Sequence, residues 1–186
     1  EYDLQSVFLH EIGHGLGFLS NDAYDPFFGL GSLDQPTPFD AYLQTSDGRR
    51  LADLPTPSKE LGVALTTSLV WSGANAIKAN GGVKPKMYTP ARYESGSSTS
   101  HLDEATFSKS GADSVMTPSL DPGEIFKEPG PLLLAMMEDL RSKPPVGVAT
   151  DLPFSPRNAQ AFTGDSSALI SFDPPANLRT AQITEY

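Results

Sequence analysis

His10, Glu11 and His14 stand in the order His-Glu-Ile-Gly-His. On a helix, positions i and i+4 share a face, so both imidazoles can reach one metal ion. Glu11 is rotated about 100° from His10, beside such an ion and not on it. A carboxylate there can take a proton from an attacking water and pass it to a leaving amine. The bland alternative is a helix that happens to carry two histidines and a glutamate. The residues after His14 favour the chemical reading: Gly15-Leu16-Gly17-Phe18 is a poor helix by propensity unless the chain must turn sharply there.

A catalytic zinc ion takes three protein ligands. The chain holds only three histidines and no cysteine, so the one histidine left is His101. In the compact spacing His-Glu-x-x-His-x-x-Gly-x-x-His the last position falls on Ser20, and serine is a poor zinc ligand. His101 lies far downstream, but loop-closure entropy grows only slowly with length. Glu60, in a stretch with some helical character, is the rival third ligand. Below His101, Ser114-Val115-Met116-Thr117-Pro118 is a short apolar turn. Its methionine is either ordinary core filling or a floor under the histidines.

Local signals along the chain indicate what could hold these residues in place. Asp3 is a candidate N-cap for a helix from Asp3 to Phe18, with Leu4, Val7, Phe8 and Ile12 at helical spacing. Gly17 suits a left-handed residue that ends it. From Ser20 to about Ser100 the chain is largely irregular. It holds a short strand over Phe39 to Thr45, a helix over Ser58 to Thr66 and a strand at Leu69-Val70-Trp71. A short helix over Gly73 to Asn80 and an extended Lys86 to Thr89 complete it. Pro129 to Arg141 is a helix with proline in its first turn and Leu132, Leu133, Met136, Met137 and Leu140 on one face. Residues 142–156, with Pro144, Pro145, Pro153 and Pro156, have the composition of an interdomain linker. Asn158 to Phe162 and Ala168 to Phe172 read as two strands about Gly164-Asp165.

Composition narrows the partners. The 186 residues carry a formal charge of −10, which argues against nucleic acid, since phosphates are met by clustered Lys and Arg. No apolar run approaches the length of a membrane span. Lack of cysteine excludes a disulfide framework but not export. Asp22, Asp25, Asp34 and Asp40 crowd one loop and make Ca2+ a second metal candidate, against the plainer reading of a solvated acidic loop.

Taken together, His-Glu-Ile-Gly-His-Gly-Leu-Gly-Phe, then Ser100-His101-Leu102-Asp103-Glu104, then Val115-Met116-Thr117-Pro118 resemble the metzincin clan of zinc endopeptidases. Within it the chain is most similar to leishmanolysin-like enzymes, which also place the third histidine far downstream, ahead of a methionine-containing turn. The resemblance spans roughly residues 3 to 141. It implies that His10, His14 and His101 bind Zn2+, that Glu11 is the catalytic base, and that Met116 is the Met-turn residue. Asn75 to Gly82, Pro85 to Tyr88 and Pro118 to Glu124 are similar to bacterial secreted proteins with this motif set, although Leu140-Arg141 departs from their usual Gly-Trp. Tyr88 and Tyr93 are candidates for the tyrosine that assists some members. The tail from Pro156 resembles the start of a fibronectin type III domain.

The expected architecture is therefore α+β. It comprises the lower part of a metzincin-like catalytic domain over 1–141, a linker over 142–156 and a partial fibronectin type III-like segment over 157–186. Because such enzymes carry an upper subdomain ahead of the active-site helix, the chain is expected to be an internal fragment of a longer protein. The expected function is hydrolysis of extracellular proteins or peptides by a secreted, monomeric zinc endopeptidase. A catalytically incompetent surface or adhesion module that keeps the zinc scaffold is the alternative, and a zinc hydrolase acting on another bond is a third reading.

Overall fold

In a computed structural model, residues 2–108 and 111–142 are described in full, and 157–164 and 167–173 as backbone strands. The chain divides into two compact units, Glu1–Val148 and Ala149–Tyr186, and each is described by itself. Residues 143–156, in the stretch read as a linker, and the tail beyond 173 lie outside the described residues.

The first unit is α+β, with five α-helices among its described residues and small two-stranded antiparallel sheets. Helix α1 spans Leu4–Gly15 and starts as the sequence indicates: the Asp3 carboxylate accepts the Ser6 N–H at 2.8 Å. It ends in a Schellman motif. Gly17 N–H donates to His14 O and Phe18 N–H to Gly13 O, with Gly17 at φ +107°. That reversal drives Phe18 into the core, where it lies 4.8 Å from Phe39, and Phe39 lies 4.9 Å from Trp71.

The apolar period of α1 is real, but the stripe does not face this core. Of its expected members Leu4, Phe8 and Ile12 are exposed and Val7 is half-buried, and the fully buried residues of the helix are Ser6 and Gly13. Only small residues allow the approach seen there. The Ser6 hydroxyl accepts the Phe126 N–H at 2.6 Å, and a Cβ on Gly13 would lie 2.6 Å from Met116 Sδ.

Strands β1 (Ala23–Asp25) and β2 (Leu30–Ser32) form a hairpin inside the stretch read as irregular. The Asp25 side chain shapes its turn by accepting Phe27 and Phe28 N–H. The strand expected over Phe39 to Thr45 is split. A 3₁₀ turn takes Asp40–Tyr42, and β3 is Leu43–Thr45, paired with β4, Leu69–Trp71. Helix α2 (Lys59–Leu65) is capped by Ser58, whose hydroxyl accepts Leu61 N–H at 3.0 Å.

Helices α3 (Ala74–Ala79) and α5 (Pro131–Arg141) pack together through one buried carboxylate. Asp139 accepts Trp71 Nε1–H, Asn75 N–H and Ala76 N–H at 2.9–3.1 Å, so a residue of α5 caps α3. Short α4 (Glu104–Phe107) follows the third histidine, capped by Asp103. In the second unit, β5 (Arg157–Gly164) and β6 (Ser167–Asp173) pair antiparallel, with Gly164 opposite Ser167. Among the described residues no helix is long and apolar enough to cross a membrane.

Candidate metal centre

Helix α1 presents His10 and His14 on one face. The third histidine arrives on an extended segment, 87 residues beyond His14. Its backbone is held on two sides. Tyr88 N–H donates to His101 O at 2.8 Å, and Leu102 N–H to Met116 O at 2.7 Å. The 3₁₀ helix Gly111–Met116 thus joins the His101 segment to the underside of α1, with Met116 fully buried beneath Gly13. This methionine belongs to the buried core and lies against Gly13, a place that suits both readings of it.

The three Nε2 atoms converge, separated by 3.1, 3.2 and 3.2 Å. Each Nδ1 meets a backbone carbonyl: Val115 O at 2.7 Å for His10, Phe18 O at 2.8 Å for His14, and Ser97 O at 2.7 Å for His101. A carbonyl oxygen can only accept, so each Nδ1 must carry the hydrogen. A neutral imidazole in that tautomer has its lone pair on Nε2. Three lone pairs then face one small volume, an arrangement that repels itself unless a cation sits among them.

Burial favours the neutral form of two of the three histidines. Desolvation is the main cause lowering the pKa of His10 and of His101, the latter to about 4, and in each case the carbonyl partner opposes it. Neutral imidazole is the metal-binding form. A tetrahedral ion with metal–nitrogen bonds of about 2.0–2.1 Å spaces its nitrogens about 3.3–3.4 Å apart, and the observed separations fall within about 0.2 Å of that. The donor set fits a divalent metal ion. Imidazole suits zinc, copper, nickel and iron alike, so the donors by themselves define a metal site and not the metal.

The other candidates find different places. Glu11 is exposed, outside the ligand group, and close enough for its charge to favour protonation of His10. Glu60, the rival ligand, is paired with Arg49. Ser20 donates its N–H to Ser100 Oγ at 3.0 Å. Tyr88 bonds Glu94 at 3.0 Å, and Tyr93 bonds Asp22 at 2.7 Å. The four loop aspartates all have protein donors. Asp40 takes Thr37 N–H and the Ser20 hydroxyl, Asp22 the Tyr93 and Thr99 hydroxyls, Asp25 its turn, and Asp34 the Thr56 hydroxyl. Among the described residues only His10, His14 and His101 form a group able to hold a metal.

Residue types and spacing gave no sign of the carbonyl partners of Val115, Phe18 and Ser97. Backbone acceptors carry no side-chain signature. Compared with family models, with characterised proteins and with solved structures, the chain has no match.

Proposed function

We propose that the chain carries the catalytic centre of a zinc-dependent endopeptidase acting on extracellular proteins or peptides, with Glu11 as general base. One observation supports the reading above the others: three Nε2 lone pairs converge within 3.2 Å, each fixed by a carbonyl behind its ring. Two come from His-Glu-Ile-Gly-His on a helix and the third from beside a buried methionine turn. That combination is what favours peptide hydrolysis over other zinc chemistry. When bound, a zinc ion supplies Lewis-acid polarisation of the scissile carbonyl and acidifies the water beside it.

The chain's own residues do the rest. His10, His14 and His101 hold the ion. Glu11, one residue from a ligand and open to solvent, accepts the proton of the attacking water and returns it to the leaving amine.

Metal content and casein cleavage, measured side by side, test the reading. Glu11→Ala is expected to keep zinc and lose about 10²–10⁴-fold in cleavage rate, whereas His101→Ala weakens zinc binding. Zinc uptake with no cleavage, unchanged by Glu11→Ala, would favour the scaffold of an adhesion module. Unchanged zinc and activity in His101→Ala would remove His101 from the ligand set.

A further inference from the structure

We propose that Asp22 is the positioning residue of the third histidine: by holding Thr99, it fixes the loop that delivers His101 to His10 and His14. The inference rests on the metal site proposed above and concerns how that site is assembled.

Thr99 is the one non-glycine among the described residues with positive φ, at +66°. A β-branched residue is costly there, because its Cβ crowds the backbone. It is also fully buried and two residues before His101. Such a conformation persists only where the surroundings over-determine it.

The surroundings are two hydrogen-bonded ties. The Thr99 N–H donates to Tyr88 O at 2.7 Å. Its hydroxyl lies between Asp22 Oδ2 and the carbonyl of Ser98, the latter at 2.6 Å. The other Asp22 oxygen accepts the Tyr93 hydroxyl at 2.7 Å, and the Tyr93 ring stacks on Tyr24 with centroids 5.3 Å apart. One carboxylate therefore holds both ends of the 93–99 loop. That loop also carries Ser97, whose carbonyl accepts Nδ1–H of His101.

Asp22 is itself placed from the other side. It comes a few residues after α1, and its Oδ2 lies 2.5 Å from the Ser20 hydroxyl, which also faces Asp40 Oδ1. Ser20 N–H also reaches Ser100 Oγ. The segment leaving the two-histidine helix is thus stitched to the segment bringing the third. That stitch adds a side-chain tie to the backbone bonds from Tyr88 and Met116 that hold the His101 segment. A carboxylate with two acceptor oxygens suits the place, since it meets hydroxyls from both sides at once.

The test is zinc affinity of the full chain, by competition with a chromophoric chelator, together with ring-nitrogen NMR of the metal-free protein. Asp22→Asn is expected to weaken zinc by about 10- to 100-fold, the range for loss of an outer-sphere partner. Thr99→Val, which replaces the hydroxyl with a methyl group and keeps the β-branched shape, should reproduce the loss and decides the matter should Asp22→Asn not fold. In a Thr99→Gly background the left-handed conformation is freely available, so adding Asp22→Asn should change affinity less than about threefold.

In the metal-free Asp22→Asn protein, His101 should pass from the Nδ1–H tautomer to a mixture while His10 and His14 stay as they are. Wild-type zinc affinity in Asp22→Asn or in Thr99→Val would overturn the inference. So would an equal loss in the Thr99→Gly background, or loosening of all three histidines together, the mark of a merely structural role. If the wild-type chain takes up no zinc, the metal reading fails by itself, and the His101 tautomer still decides on Asp22.

Discussion

At the scale of single residues, burial favours the neutral form of two histidines of the candidate metal centre, His10 and His101. His101 is 4% exposed, and its pKa falls from 6.5 to about 4. The consequence for stability has a definite sign. Between about pH 4 and 6.5 the unfolded chain binds a proton at this residue that the folded one does not, so stability rises with pH across that window. In the presence of a chelator, acidification from pH 7 to 4.5 should remove stability on the order of 2–3 kcal/mol through His101 alone. Urea denaturation at several pH values checks this: His101→Gln should flatten the slope, and an unchanged slope would place the acid sensitivity elsewhere. Met116 is the second residue with a sharp expectation. It is fully buried against Gly13, so Met116→Ala should cost about 2–5 kcal/mol. Met116→Leu, which conserves volume, should cost less than about 1.5 kcal/mol.

At the scale of elements, α1 is defined by its two ends. Asp3 caps the start, and Gly17 at φ +107° makes the reversal that seats Phe18 beside Phe39 and Trp71. The same turn aims Phe18 O back at His14 Nδ1, so helix termination and ligand orientation are one feature. Gly17→Ala should therefore cost about 1–2 kcal/mol for the left-handed strain and also weaken metal binding. A thermal melt and a zinc titration on the same variant test the coupling. Loss of stability with wild-type zinc affinity would separate the two roles.

At the scale of the first unit, the site joins distant parts of the chain. The bonds around it run from α1 to the 3₁₀ helix Gly111–Met116 and from there to the His101 segment. An ion bound only by the folded state stabilises by mass action, about 2.7 kcal/mol when free zinc is 100 times Kd. For a chain of this size that corresponds to a rise in Tm of roughly 5–10 °C. Calorimetry with zinc and with a chelator should show it, and His101→Ala should abolish most of the difference. Leu4, Phe8 and Ile12 on α1, and Leu16 at its C-cap, are exposed.

Much of this was legible along the chain. Local signals have local causes, so the capped start of α1, its glycine end, the Ser58 cap of α2, the α5 stripe and the pairing of β5 with β6 could all be read from nearby residue types. So could the three histidines as a group able to hold a metal, because an i, i+4 pair needs a third donor and His101 is the one histidine left, with Glu60 as its rival. Folding alone decided what depends on distant backbone. It left Leu4, Phe8 and Ile12 of α1 exposed and set the small Ser6 and Gly13 against Phe126 and Met116. It put Glu60 on Arg49, and it put three carbonyls behind three imidazoles. It also bent Thr99 into a conformation that no residue type announces. The physical reason is the same in each case: side-chain identity is written in the sequence, but the position of a carbonyl, or of a neighbour 80 or more residues away, exists only once the chain has closed on itself.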